Sequence, residues 1–301
     1  MKIIITGASG FVGKNLSSYL LSKGHVVSHL SLRDPQWRVI IPSEGEALVH
    51  LAGKAHDTSN TSKEEEYYQV NRDLTIDLFH RFLQSDIRDF YYFSSVKAVA
   101  DSVNGPLGEE INGDPRTAYG KSKFEAEQYL LTQDLPLAKR LFIIRPCMIH
   151  GPGNKGNLNL LYNVVKKGLP WPLASFENER SFLSIDNLNY LIEKMILASD
   201  LQSGIYNFAD DATLSTNELI KVIAAVVETK DRLWHIPVAI IQAGVKLGDI
   251  FPLPLNSERL KKLTESYVVS NAKIKKSLQI ANLPVSIKAG LTKTIASFEQ
   301  K

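Results

Sequence analysis

The chain has 301 residues, 44% hydrophobic and 22% charged, with a formal net charge of +3. That length and composition allow one large globular domain or two smaller ones, each with ample core. The small, dispersed charge, with no run of basic residues, excludes nucleic-acid binding as the main task.

Residues 2–6, Lys-Ile-Ile-Ile-Thr, form a β-branched run ending at Gly7. This predicts a buried parallel strand meeting a tight turn. So early a strand leaves no room for the apolar segment of a secretory signal, and none is expected. Gly7-Ala8-Ser9-Gly10-Phe11-Val12-Gly13 then leads into Leu16, Tyr19, Leu20 and Leu21 at helical spacing, and Gly24 ends the helix. Residues 25–30 predict a second strand. A strand, a glycine-rich turn, a helix and a strand within about thirty residues are the setting a dinucleotide fingerprint requires. The first glycine allows the turn, the second admits a pyrophosphate to the backbone, and the third lets helix and strand pack closely. The helix N-terminus faces the phosphates with free N–H groups. The spacing is Gly-x-x-Gly-x-x-Gly rather than Gly-x-Gly-x-x-Gly, so its weight comes from its place between two strands.

Residues 37–41, Trp-Arg-Val-Ile-Ile, predict a strand broken by Pro42-Ser43, and residues 46–52 predict another ending at Gly53. A long helix is expected over 62–83, with Tyr67, Val70, Leu74, Leu78 and Phe82 on one face and Asn71 within it. Residues 90–94 are strand. Ligands of open α/β sheets bind beyond the carboxyl ends of strands, which puts Ser94 and Ser95 at a site edge. Taken alone, a serine pair there is as readily a cap or a turn.

Tyr119 and Lys123 follow, four residues apart on a predicted helix, so phenol and ammonium share one face. A nearby cation is expected to lower a phenol pKa that starts near ~10. A tyrosine so tuned can take or give a proton at a carbinol or carbonyl. Residues 141–145 are strand, and the single cysteine, Cys147, reads as a core thiol in a reducing compartment. A glycine-rich loop over 151–157 and a helix over 158–167 follow. After Gly168 the alternation weakens. A short piece over 180–185, a helix over 186–199 and a strand over 205–208 are expected. Further helices are expected over 215–227, 237–247, 257–263, 271–278 and 286–298. The apolar stretch 234–255 holds Lys246, Asp249 and three prolines. It fits an amphipathic surface helix better than a membrane span.

Thr6-Gly7 through Gly13, His50 through Gly53, Phe93-Ser94-Ser95, Tyr119 through Lys123, Arg145-Pro146, and Gly151-Pro152-Gly153 occur in one order. Together they resemble the extended short-chain dehydrogenase/reductases of the NAD-dependent epimerase/dehydratase family. Arg180 through Leu188 and Tyr206-Asn207 are similar to its C-terminal landmarks, so the likeness covers nearly the whole chain. It implies an α/β fold: a Rossmann-type doubly wound parallel sheet over residues 1–168, and a smaller, interleaved α+β substrate-binding part over 169–301. It also implies roles. Tyr119 is the acid/base, Lys123 binds the nicotinamide ribose and tunes Tyr119, and Ser95 holds the reacting oxygen. Gly7, Gly10, Phe11, Val12 and Gly13 line the pyrophosphate, and Leu51, Ala52 and Gly53 join the cofactor site. Arg180 pairs with the substrate diphosphate, and Asn157 and Leu158 contact the substrate nearby. In another register Val96, without a hydroxyl, takes the place of Ser95.

The implied activity is a cytoplasmic NAD(P)-dependent oxidoreductase acting at C4 of a UDP-linked hexose or hexosamine, with no metal; a homodimer is compatible with it. Ser95-Val96-Lys97 and the run from Arg180 look most like bacterial polysaccharide enzymes, 4-keto-6-deoxy-sugar reductases and 4-epimerases. The second strand ends without an acid at the position that NAD-preferring folds use for the adenosine ribose. Ser31 stands there, with Arg33 close by and Asp34 beyond. NADP is therefore expected over NAD, which favours the reductase. The alternatives are a 4-epimerase with bound NAD and a non-catalytic NADP-binding sensor.

Overall fold

The computed structural model describes residues 1–40, 44–55, 63–154, 157–250 and 256–299. Its main sheet has six parallel strands in the order β2-β1-β3-β4-β5-β8. These are β1 (Lys2–Thr6), β2 (Val26–Leu30), β3 (Ala47–His50), β4 (Asp89–Phe93), β5 (Arg140–Pro146) and β8 (Gly204–Phe208). Every residue of β3 and β4 is buried, as strands covered on both faces require. The strand order reverses between β1 and β3. The carboxyl ends of β1, β3 and β4 open on that crevice, the place where such sheets hold ligands.

One face of the sheet packs Leu16 and Leu20 of α1 (Phe11–Ser22) with Leu188 and Leu191 of α7 (Ile185–Leu197). The other packs Phe79 and Phe82 of α4 (Leu74–Leu83) with Ala126 and Leu130 of α5 (Ala118–Leu131). A third cluster joins Tyr162 of α6 (Asn157–Lys166), Phe182 of β7 (Arg180–Ser184), Ile223 of α8 (Thr216–Val226) and Leu291 of the C-terminal helix (Ile287–Glu299). Thus α6 packs with the C-terminal part, while α7 and β8 return to the main sheet. β7 lies between β6 (Met148–His150) and β9 (Thr213–Leu214) in a second, three-stranded sheet. These two partner strands are too short for a periodicity signal, and the sequence did not show them.

Two expected elements differ. The strand over 37–41 is instead one helical turn, α2 (Trp37–Ile40), with 41 outside the described residues. Asp34 winds this turn: its carboxylate accepts from Gln36 N at 2.9 Å and its carbonyl from Trp37 N at 3.0 Å. Trp37 reaches the core while Arg38 and Val39 are exposed, Val39 to 86%, so the segment lacks the alternating burial of a strand. The long helix is interrupted. Between α3 (Glu64–Tyr67) and α4 runs a π-helical stretch, Tyr68–Asp73, whose wider turn moves the buried face. Asn71 and Thr75 become fully buried, whereas Val70 and Leu74 are only partly so.

The 234–250 stretch lies at the surface, with Trp234 and Ile240 more than half exposed on and before α9 (Val238–Ile250). No helix among the described residues is long and apolar enough to cross a membrane. Cys147 is buried, and burial pushes its thiol well up, as for a core residue.

Candidate active site

The glycine loop is built to be open on one side and closed on the other. Gly7 sits at φ +66°, and a Cβ there would lie 2.6 Å from Ala52 N. A Cβ on Gly13 would lie 2.4 Å from Gly7 O, so only glycine lets α1 meet the turn. Gly10 N donates to Gly7 O at 3.0 Å. No side chain caps α1 and no acid stands in its first turn, while Ser9 and Gly10 are exposed. Phe11 and Val12 are half-buried beside them. The result is an uncapped helix N-terminus over bare backbone, which fits the pyrophosphate of a dinucleotide.

A polar chain ties the strand ends together. Ala52 N donates to Thr6 Oγ1 at 3.1 Å, Thr6 Oγ1 meets His50 Nδ1 at 2.8 Å, and His50 Nε2 meets Thr75 Oγ1 at 2.9 Å. The Thr75 hydroxyl donates to Asn71 O at 2.8 Å. It therefore accepts from His50, which places the imidazole proton on Nε2 and leaves Nδ1 to accept from Thr6. Burial pushes the His50 pKa down to about 3, with the Lys123 charge adding to it, so the ring is neutral.

Thr117 caps α5, accepting from Gly120 N at 3.1 Å, and sets Tyr119 in the first turn. Ser95 caps a 3₁₀ turn over Val96–Ala98, accepting from Lys97 N at 3.1 Å, and its hydroxyl lies near enough to the Tyr119 phenol to draw its pKa down. Val96 is in the core, 4% exposed. The hydroxyl beside Tyr119 is thus that of Ser95. Lys123 is 5% exposed. Its Nζ donates to Phe93 O at 2.7 Å, lies 4.8 Å from the centre of the Tyr92 ring, and would be 3.2 Å from a Cβ on Gly53. Burial pushes the Lys123 ammonium down to about 8, against the pull of Glu127.

This corrects one expectation. The Tyr119 phenol is raised, not lowered: burial raises it, the Ser95 hydroxyl pulls it back, and Tyr67 adds a smaller push upward. The ammonium is aimed at a strand-end carbonyl rather than at the phenol.

Sequence reasoning passed over Asn71 as a site residue. Fully buried, it accepts from Lys54 N at 2.8 Å and donates to Lys54 O and Ser122 Oγ, each at 3.1 Å. Its Oδ1 would be 3.1 Å from a Cβ on Gly53. Gly53 is therefore closely approached by Asn71 and Lys123, with half-buried Leu51 and Ala52 leading into it. The signal in the sequence was an asparagine among apolar helical positions.

The remaining residues stand further out. Ser31 and Arg33 are exposed after β2, and no hydrogen bond or ion pair holds either among the described residues. Asp34 is committed to its own turn. Arg180 opens β7, half-buried, with no hydrogen-bond partner for its guanidinium among the described residues. Burial pushes its guanidinium down and Glu265 opposes this. Leu158 is 6% exposed, its side chain in the third cluster at the start of α6. The side chain of Asn157 lies outside the description. No cluster of His, Cys, Asp or Glu among the described residues could hold a metal ion.

Residues 3–209 match the model of the NAD dependent epimerase/dehydratase family. The chain is 30% identical over 260 residues to the UDP-glucose 4-epimerase of Vibrio cholerae, covering 79% of each. It is 26% identical over 291 residues to the N-acetyl-alpha-D-glucosaminyl-diphospho-ditrans,octacis-undecaprenol 4-epimerase of Escherichia coli O157:H7, covering 91% of this chain and 84% of the relative. Its fold superposes on that of RMD from Pseudomonas aeruginosa complexed with NADPH, with a TM-score of 0.77 at 20% identity, over 100% of this chain and 99% of that one.

Proposed function

Because the chain belongs to the NAD-dependent epimerase/dehydratase family, we propose that it moves hydride at C4 of a UDP-linked hexose or hexosamine, reducing a 4-keto-6-deoxy sugar. It is an enzyme of the extended short-chain dehydrogenase/reductase kind, which sets aside the non-catalytic sensor. The observation that carries the reading is the row Tyr119–Lys123 on α5, with the buried Lys123 ammonium beside Gly53 and the Ser95 hydroxyl acting on the phenol. The nicotinamide dinucleotide, when bound, supplies the hydride. Gly7, Gly10 and Gly13 and the start of α1 would hold its pyrophosphate, and the Lys123 ammonium would bind its ribose. Ser95 donates to the C4 oxygen. Tyr119 gives that oxygen the phenolic proton as C4 gains hydride, leaving a phenolate that solvent reprotonates. A phenol raised by burial is protonated at neutral pH and so is ready for the reductive direction. Residues 169–301 close over the sugar nucleotide, in a protein we place in the cytoplasm and read as compatible with a homodimer.

Arg180 is the diphosphate receptor in this reading, since a half-buried guanidinium with no hydrogen-bond partner among the described residues suits a fork of anionic oxygens. Arg180→Ala is expected to weaken UDP binding by ~1.5–3 kcal/mol, the scale of hydrogen bonds to charged groups. Calorimetric titration of UDP into both proteins measures it, and equal affinities would remove Arg180 from the site.

The exposed Ser31 and Arg33, with Asp34 turned into its own loop, favour NADP(H) over NAD(H) by about 10- to 100-fold. Rates with NADPH and NADH on a UDP-4-keto-6-deoxy-N-acetylhexosamine test both the reaction and this preference. Equal or faster turnover with NADH would defeat the NADP claim. A second reading, a 4-epimerase that keeps NAD and returns hydride to the other face, is favoured by the two 4-epimerase relatives. Interconversion of UDP-hexose 4-epimers without added cofactor would decide for it.

A further inference from the structure

The row on α5 that begins with Tyr119 and Lys123 continues at the same spacing to Glu127, which is fully buried. Arg145, next to last in β5, is 2% exposed. Its Nε lies 3.1 Å from both Glu127 oxygens, and its Nη2 donates to Oε2 at 2.5 Å. Arg145 Nη1 and Ser94 Oγ are buried with no hydrogen-bond partner among the described residues. The desolvation of such a pair consumes most of its attraction, and an apolar pair of similar volume would hold helix to sheet as well. What the apolar pair would not supply is negative charge one helical turn from a buried ammonium.

We propose that the Glu127–Arg145 pair is a positioning device for Lys123: Arg145 fixes the carboxylate, and the carboxylate keeps Lys123 protonated and aimed at the Phe93 carbonyl beside Gly53. The inference rests on the role assigned to Lys123 above. Among the described residues, the titratable groups facing Lys123 are Glu127 one turn along α5, His50 from β3 and Tyr92 from β4; Tyr119 shares its helix face, and Arg145 of β5 reaches it through Glu127. His50 is neutral and burial pushes the Tyr92 phenol well up, so Glu127 is the one carboxylate among them. Glu127 opposes the downward push of burial on Lys123, which lands at about 8. Removing the carboxylate therefore lowers the pH at which the ammonium is lost.

The test reads Lys123 directly. Protein labelled with ¹³C-lysine is titrated by NMR, with Lys123→Met to assign the signal, in the parent, in Glu127→Gln and in the double variant Glu127→Gln/Arg145→Met. The double variant removes both charges and leaves no buried guanidinium uncompensated, so it keeps the test open if the single variant does not fold. The Lys123 midpoint is expected to fall by about 1 unit in either variant, and the alkaline limb of kcat to move with it. An unchanged midpoint in the folded double variant would overturn the proposal, because a purely structural pair predicts that result. The NMR readout needs no turnover, so failure of the proposed reaction would register separately, as absent hydride transfer with the midpoint still displaced.

Discussion

Replacing Tyr119 by Phe lowers turnover by about 10²- to 10⁴-fold, the usual contribution of a positioned acid or base, and leaves dinucleotide affinity unchanged. The ring stays, with its edge-on contact to Tyr67 at 6.2 Å between centroids, and only the hydroxyl goes. One lost hydrogen bond costs about 1 kcal/mol of stability, too little to unfold the chain. The glycine cradle and Lys123 do not touch that hydroxyl, so the dinucleotide is still held. Single-turnover hydride transfer followed at the nicotinamide absorbance gives the rate, and calorimetry gives the affinity. Undiminished transfer by this variant would remove Tyr119 from the chemistry. The pH profile adds a sign. Lys123 is charged below about 8 and neutral above it, so binding through its ammonium weakens as pH rises through that value.

The parts of the site that could be read beforehand are those whose signal is local. The glycines between β1 and α1 are forced by contacts within a few residues of backbone and by one strand neighbour. Tyr119 and Lys123 share a helix face through spacing alone. Asn71 was harder, because a single π-helical stretch rotates the helix face and a regular 3.6-residue period points elsewhere. The segment from Trp37 was misread because β-branched content favours a strand, yet Asp34 starts a helical turn that buries Trp37 and leaves Arg38 and Val39 exposed. The phenol was expected to be lowered on the assumption that the ammonium points along the helix at Tyr119. Its aim is set by Phe93 O, at the end of a strand 30 positions away in sequence. Likewise, the partnership of Glu127 with Arg145 depends on how α5 lies across β5, which spacing does not encode.

At the opposite end of the sheet, Asp89→Asn is expected to cost ~3–5 kcal/mol of stability, the scale for breaking a buried ion pair by removing one partner. Asp89 opens β4, fully buried, and is paired in register with Arg140 at the start of β5. Its carboxylate accepts from Arg140 Nε and Nη2, each at 2.7 Å, and from Arg88 Nε and Nη2 at 3.1 and 2.9 Å. Arg140 Nη1 also donates to the carbonyls of Ala198 and Ser199, just past α7, at 2.8 and 2.9 Å. One carboxylate thus holds two strands and the end of a helix together. The Arg140 side chain is 14% exposed and would be left near an amide that cannot neutralise it, while Arg88, at 35%, is screened by water and matters less. Because ligands sit beyond the carboxyl ends of the strands, kcat per folded molecule is expected to stay at the parent value. Urea denaturation measures the first quantity and active-site-titrated turnover the second. A loss below about 1 kcal/mol would mean that the pair is no more than a surface ion pair in effect. A drop in kcat without loss of stability would mean that the two ends of the sheet are coupled.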